Sequence, residues 1–466
     1  MKHENLQNPE EWAAQTFGMA ECGDPRRTDR LVQIAAALAG NPSGSLPECM
    51  RSWNDTQAAY RLLENEAVTY EQIMKPHWTQ TAQEAAQYQR TLLLADTTNF
   101  TLSTHTTTSG LGPIGRGKKG KGYYAHTVVA MDADQQQLLG CLYQDPFVRQ
   151  PAPRGETREQ RKKRARESQV WERSIQAIGP VPEQQKWIYV GDRGSDIFTF
   201  WETCQDYGYD FLIRVAQDRR VRVEEEPEEG ELWAPRLKEV ARHLPAQAGR
   251  VVHLPAQHGR AARDAFLQIS FQAICVQPPL HGACMHQKEI TLWILRAWEP
   301  TPPAGQEPLE WLLLTTVPIE DATDAWERVG WYKCRWLLEE FHKVLKTGCV
   351  MEDRLVQSVE SQWKLLGILT PVAMRLLWLR QTAQLAPETP ATEIVSHQIV
   401  QLVCLLAKRP KVTLTARELW RTIAGFGGYL GRKSDGPPGW QTLWKGWRYV
   451  LTVLEGVHLA VHFSSS

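Results

Sequence analysis

From the N-terminus to about residue 75, apolar positions recur at helical spacing. Leu31, Ile34, Ala35 and Leu38 share one helix face. Asp24-Pro25 supplies an N-cap and a proline at the first helical position. Arg26, Arg27 and Arg30 occupy the first turns, and Gly40 and Pro42 end the helix. Further helices are predicted over 55–64 and 69–86. From about residue 90 the pattern shortens to strand-length apolar runs. Residues 91–95 end in Asp96. Residues 123–131 and 138–143 flank an Asp132-Ala133-Asp134 turn, and 187–190 end in Gly191-Asp192. A strongly charged helix is predicted over 158–177, another helix over 196–204 and a strand over 211–215. Strands and helices interleaved in this way predict a mixed α/β sheet.

Residues 217–310 break the order. They hold an acidic run, several Pro and Gly, and alternating strands over 265–276 and 290–297. This reads as an inserted β-rich subdomain. The α/β pattern resumes at 311–316. A long helix is then predicted over 324–346, with Gly348 as its C′ glycine. Beyond about 365 the chain reads as helical, with a Gly/Pro-rich loop at 425–439 and a last helix over 440–457. The domains expected are therefore 1–75, helical; 76–365, α/β with 217–310 inserted; and 366–466, helical.

At roughly 150 residues per domain, 466 residues fit about three domains. Apolar residues make up 42% and charged residues 23%, ordinary soluble usage that excludes fibrous and wholly disordered classes. Lys+Arg and Asp+Glu are both 53, yet the charge is unevenly spread. Four basic residues fall in 116–121 and seven in 154–166, whereas six Glu fall in 224–231. A basic surface is compatible with the zero net charge. Nine Cys without a close CxxC pair point to free thiols in a reducing compartment. Cys275, His281, Cys284 and His286 fit no standard zinc spacing. The polar N-terminus is no signal peptide and no stretch is long and apolar enough to span a bilayer, so a cytoplasmic protein is expected. Nineteen Trp residues belong mostly to the core, and any exposed ones can stack on bases.

Asp96 and Asp192 each sit at the end of a short apolar strand, and one sheet can bring two such carboxylates together. Paired buried acids repel unless a cation separates them, which points to Mg²⁺ or Mn²⁺. The alternative is that each Asp opens a turn or caps a helix. On the long helix, Tyr332, Arg335, Glu339 and Lys346 fall within roughly 60° of one another, a polar stripe about 21 Å long. Trp326, Leu337, Phe341, Val344 and Leu345 centre on the opposite face. A carboxylate among Tyr, Arg and Lys suits a metal ligand flanked by phosphate donors. The same stripe also reads as a solvated face with an Arg335–Glu339 pair. Three acids with basic neighbours suit two-metal phosphoryl transfer. No Gly-x-x-x-x-Gly-Lys-[Ser/Thr] loop is present.

The string from Tyr332 through Arg335, Glu339 and Lys343 to Lys346 resembles the tyrosine–(2)–arginine–(3)–glutamate–(6)–lysine signature of bacterial insertion-sequence transposases of family four, of the transposon-five type. Residues 23–32, Ala59-Tyr-Arg-Leu, Ala95-Asp96-Thr-Thr, Gly191-Asp192-Arg193-Gly-Ser-Asp196, Trp311-Leu-Leu-Leu-Thr, Gly427-Gly-Tyr and Trp440 to Trp447 resemble further family segments in the same order. The resemblance implies a ribonuclease H-like core and a DDE triad of Asp96, Asp192 and Glu339 holding Mg²⁺, with Mn²⁺ a substitute. It implies that Tyr332 and Arg335 grip the phosphate beside a flipped base, that Lys346 binds DNA near the cut, and that Trp311 holds the flipped base. Lys343, Arg193, Arg214, Arg26, Arg27 and Arg30 are further candidates for DNA contact. Double-stranded DNA and a second copy of the chain are the implied partners. Gly194-Ser195 departs from the larger or acidic residues of the close relative. The function implied is cut-and-paste transposition through a DNA hairpin. The rival readings are a metal-dependent nuclease without strand transfer and a catalytically silent DNA-binding or inhibitory relative.

Overall fold

The computed structural model describes residues 8–50, 52–115, 120–150, 153, 155–157, 160, 167–222, 235–254, 263–280, 287–409, 413–432 and 435–464. Helices α1 (Pro9–Phe17), α2 (Pro25–Gly40), α3 (Leu46–Cys49), α4 (Trp53–Glu64) and α5 (Tyr70–Ala85) open the chain. The Asp24 cap read from sequence forms, with Asp24 accepting the Arg26 N–H, and Thr69 and Gln72 close a capping box at the start of α5.

The eleven described strands make one sheet in the order β2 (Gly112–Ile114), β3 (Gly120–Asp132), β1 (Arg90–Thr101), β5 (Lys186–Gly191), β6 (Asp210–Arg214), β11 (Glu310–Thr315), β10 (Ile290–Trp298), β9 (Arg263–Val276), β7 (Val221–Arg222). Strand β4 (Leu138–Phe147) pairs with β3, and β8 (Ala248–Leu254) pairs with β9. β1, β5 and β6 run parallel to their neighbours in that trio, while the other pairings are antiparallel. The molecule is thus a mixed α/β protein with helical ends. The β-rich insertion extends the core sheet through β10 and β11 and does not form a separate sheet, because β11 pairs with both β10 and β6.

Alternation along the strands divides the core in two. Leu92, Leu94, Ile188 and Val190 face one cluster, which continues into the N-terminal helices and α11 (Val359–Leu385). Leu93, Ala95, Trp187 and Tyr189 face the other, closed by α6 (Val170–Ile178) and α7 (Phe198–Asp206).

Three expectations change. Asp96 lies inside a strand that continues to Thr101, because the whole segment pairs with β3. The helix predicted over 324–346 is two helices, α9 (Ala322–Lys333) and α10 (Trp336–Lys343), followed by a π turn over Val344–Gly348. Gly348 is not left-handed. The chain reverses at Val350, whose φ is +46°. Of the charged helix expected over 158–177, Gln160 is helical, Glu167–Gln169 form a 3₁₀ turn and Val170–Ile178 form α6; most of 154–166, His281, Cys284, His286 and most of 116–121 lie outside the described residues. α8 (Leu237–His243), α12 (His397–Leu406), α13 (Ala416–Phe426) and α14 (Trp440–Ser464) complete the helices used below. No helix among the described residues is long and apolar enough to cross a membrane.

Candidate active site and nucleic-acid surface

Register brings the first two carboxylates together. Leu94 lies beside Val190 in the parallel β1–β5 ladder. Two residues further on each strand lie Asp96 and Asp192, so both carry the alternation of Leu92–Leu94 and Ile188–Val190 to the same sheet face. Asp192 leaves the strand and accepts the Gly194 N–H at 2.7 Å. A Cβ on Gly191 would stand 2.2 Å from Ser195 Oγ, so this turn needs glycine. Asp196 is structural: its buried carboxylate pairs with Arg219 at 2.7 Å and accepts the Ala216 and Gln217 N–H groups.

Helix α10 covers that face through Leu337, Leu338 and Phe341, and exposes Glu339 and Lys343. Arg335, at the junction before α10, donates to Asp96 Oδ2 at 2.8 Å, and the Thr97 N–H donates to Oδ1 at 2.8 Å. Burial lifts the Asp96 carboxyl to about 6; the Arg335 guanidinium opposes this, and the charges of Asp192 and Glu339 add to it. Asp192 and Glu339 thus lie near enough to act on Asp96, and an all-oxygen donor set fits a hard divalent cation. Among the described residues no three His, Cys, Asp or Glu side chains are already grouped to hold a metal. Arg335 occupies Asp96 instead.

A second cluster lies beside the first. Tyr332, buried at the end of α9, has its ring 6.4 Å from that of Trp311 on β11. Burial raises its phenol, while the guanidinium groups of Arg335 and Arg214 pull it back. Arg214 ends β6 opposite Leu313 and donates to the Glu310 carbonyl at 3.1 Å. Lys346 projects from the π turn, 5.6 Å from the Phe100 ring centre and 3.9 Å from Glu352. Burial lowers its ammonium, and Glu352 opposes the shift.

Residue patterns alone missed several participants. Glu352 follows the break and accepts the Thr101 N–H at 2.7 Å. His126 bridges Thr97 at 2.8 Å and Tyr189 at 3.1 Å behind Asp96, and burial lowers it to about 3. Buried His342 is lowered likewise. Trp336 is 47% exposed next to Arg335, an indole free to stack. At 100° per residue it falls about 40° from Tyr332, beside the polar stripe, so its exposure fits the helical period.

Two family models match the ends of the chain: transposase DNA-binding over residues 9–68, and the transposase Tn5 dimerisation domain over residues 371–466. Together the two matches support a Tn5-like transposase.

Placement in insertion-sequence family four is consistent with both matches. The DNA-binding match spans α1 to α4 and includes the three N-terminal arginines. Arg26 pairs with Asp24, Arg27 donates to the Cys22 carbonyl at 3.2 Å, and Arg30 pairs with Asp55 at 2.7 Å. They form a separate group on α2. Arg193 is exposed just after Asp192. The dimerisation match begins within α11 and takes in α12 to α14. That region exposes Leu405, Leu430, Tyr449, Leu459, Val461 and Phe463, apolar surface of the kind a second subunit covers. DNA binding and dimer formation therefore belong to this protein's activity.

Proposed function

We propose that this protein is a cut-and-paste transposase that binds transposon ends, cleaves them through a DNA hairpin and joins their 3′ ends to target DNA. The carrying observation is the adjacency of Asp96 and Asp192 on one sheet face beneath the helix of Glu339, with Arg335 between the acids and Tyr332. Asp96, Asp192 and Glu339 would hold Mg²⁺, or Mn²⁺ in its place. Bound there, the ions lower the pKa of the attacking oxygen and offset charge on the phosphate in an in-line displacement.

The chain's own residues orient the DNA. Arg335 exchanges Asp96 for a phosphate oxygen, and the Tyr332 hydroxyl donates to the same phosphate. Lys346 binds the backbone near the cut. Trp311 stacks on a flipped base; flipping costs a few kcal/mol and stacking returns about 1–3 kcal/mol. Arg193, Arg214 and Lys343 extend the basic rim, while Arg26, Arg27 and Arg30 contact the end through its phosphates. Four displacements follow. Water frees a 3′-hydroxyl, that hydroxyl attacks the opposite strand to close a hairpin, a second water opens it, and the 3′-hydroxyl attacks target DNA. Each forms one P–O bond as another breaks, and the proton lost by the attacking oxygen is matched by one gained at the leaving oxygen. In the dimer each subunit cuts the end bound mainly by its partner.

The test is incubation with a linear duplex carrying the inverted end that flanks the gene, plus Mg²⁺ or Mn²⁺, resolved on a denaturing gel. Nicks and hairpins from the wild type, lost in Asp192→Ala and Glu339→Gln, are expected. Nicks without hairpins or joined target would replace this reading with a simple nuclease. Binding without cleavage under either metal would replace it with a silent DNA-binding protein.

A further inference from the structure

Arg354 is buried, yet its guanidinium is spent on three backbone carbonyls from two distant parts of the chain. Nε donates to Cys349 at 2.9 Å, Nη1 to Gly44 at 2.9 Å and Nη2 to Pro42 at 2.5 Å. Residues 41–44 form the turn that leaves α2, within the DNA-binding match. That turn is tight: the Gly44 N–H bonds the Asn41 carbonyl at 3.0 Å, and a Cβ on Gly44 would stand 2.4 Å from the Asn41 side chain. On the other side, the Cys349 N–H closes the π turn onto the Val344 carbonyl at 2.8 Å. The turn so closed carries Lys346.

Two neighbouring features point the same way. Val350, a β-branched residue, is held left-handed at φ +46° between Cys349 and the short 3₁₀ turn Met351–Asp353. Such a conformation persists only where the surroundings impose it, and it clusters at functional sites. Glu352, in that same turn, holds Lys346 at 3.9 Å and is itself fixed by the Thr101 N–H at the end of the Asp96 strand. A buried cation satisfied by carbonyls is a costly way to gain stability. It is an effective way to fix two backbones against each other, because a planar fork sets both directions at once.

We propose that Arg354 is a positioning residue that couples the α2–α3 turn of the DNA-binding region to the placement of Lys346 in the active site. Occupation of α2 by a transposon end then registers directly at the π turn, through Pro42 and Gly44, Arg354, and Cys349. The proposal rests on the transposase reading above and adds to it a link between end binding and chemistry.

The experiment compares wild type, Arg354→Lys and Glu352→Gln, each alone and combined with Lys346→Ala, on the duplex carrying the element's own end. Lysine keeps the charge and three N–H donors, but all on one atom, so it cannot reproduce the planar fork that spans the Cys349, Gly44 and Pro42 carbonyls. In the wild type, end binding slows hydrogen exchange across residues 344–354. Arg354→Lys is expected to bind the end as the wild type does, to lose that slowing, and to nick about 10- to 100-fold more slowly at saturating protein, as a small misplacement does. Its loss does not multiply with that of Lys346→Ala, since both act through one side chain. Half-buried Glu352 gives a second variant whose effect on nicking runs the same way if Arg354→Lys fails to fold. Retained protection and nicking in Arg354→Lys, or losses that multiply with Lys346→Ala, overturn the coupling. A wild type that binds the end without nicking overturns the transposase reading itself, and the coupling to chemistry with it.

Discussion

Burial lifts the Asp96 carboxyl to about 6 while Arg335 restrains it, so its charged form is less favourable in the fold without cations than in the unfolded chain. The sign of the linkage follows. An unfolded Asp titrates near ~3.9, so the raised folded value contributes stability below pH ~4 that is lost as pH rises through about 6. Asp96→Asn is therefore expected to be more stable than wild type at pH 7.5, by up to about 3 kcal/mol. The advantage should vanish near pH 4 in urea titrations. A less stable variant at pH 7.5 would mean that the Arg335 pair outweighs burial. Mg²⁺ should raise the wild-type melting temperature and leave that of Asp96→Asn nearly unchanged. Arg335→Ala removes the donor proposed to move from Asp96 to phosphate. It is expected to slow single-turnover nicking about 10²- to 10³-fold, with a smaller change in end binding. Equal losses in binding and rate would place Arg335 in ground-state DNA binding alone. These residues were legible as a set in the sequence through the spacing of Tyr332, Arg335, Glu339 and Lys346. That Arg335 would lie on Asp96, and that Glu352 would face Lys346, was not legible, because each contact joins segments from different elements.

Local signals predicted most elements. The Asp24-Pro25 cap, the Leu31-to-Leu38 period and the apolar runs before Gly191 act within a few residues, and α2 and β5 appear where they place them. The helix over 324–346 failed as one rod because Cys334 and Arg335 leave α9 in a tighter turn before α10 starts. Apolar spacing carries no record of such a break, since both halves keep a helical period. Helices α13 and α14 show how closely a pair of glycines can bring two backbones. A Cβ on Gly446 would lie 1.7 Å from the Ile423 carbonyl oxygen, and one on Gly427 would lie 1.8 Å from that of Thr442. Backbone cannot yield as a side-chain tip can. Gly446→Ala should therefore splay the pair and destabilise the C-terminal region by about 1–3 kcal/mol. Light scattering of the end-bound complex is expected to show less dimer; an unchanged dimer would place the subunit contact away from this helix pair.

At the scale of the molecule, the N-terminal helices share one apolar cluster with the sheet and α11: Phe17, Leu31, Leu63 and Ile73 belong with Leu94, Val190 and Leu369. Buried polar ties cross the same boundary, with Lys364 donating to the Leu63 carbonyl at 3.0 Å and Tyr70 to Gln144. A fragment ending near residue 75 is therefore expected to hold little of the helix that the same residues hold in the full chain, as measured by circular dichroism. Full native helicity in the fragment would show that the shared core is dispensable for its folding. The sequence by itself determined the kinds of element, the Asp24 cap, the two apolar runs that lead into Asp96 and Asp192, and the Tyr–Arg–Glu–Lys spacing, because propensity, capping and period are properties of neighbouring residues. Only the tertiary structure decided that β1 and β5 run parallel in the register that puts Asp96 beside Asp192. It alone decided that the insertion widens the same sheet, that Val350 is forced left-handed, and that Arg354 joins the turn after α2 to the turn that carries Lys346. Strand register and the pairing of distant backbones are set by how whole faces bury together, and no short window of sequence contains that information.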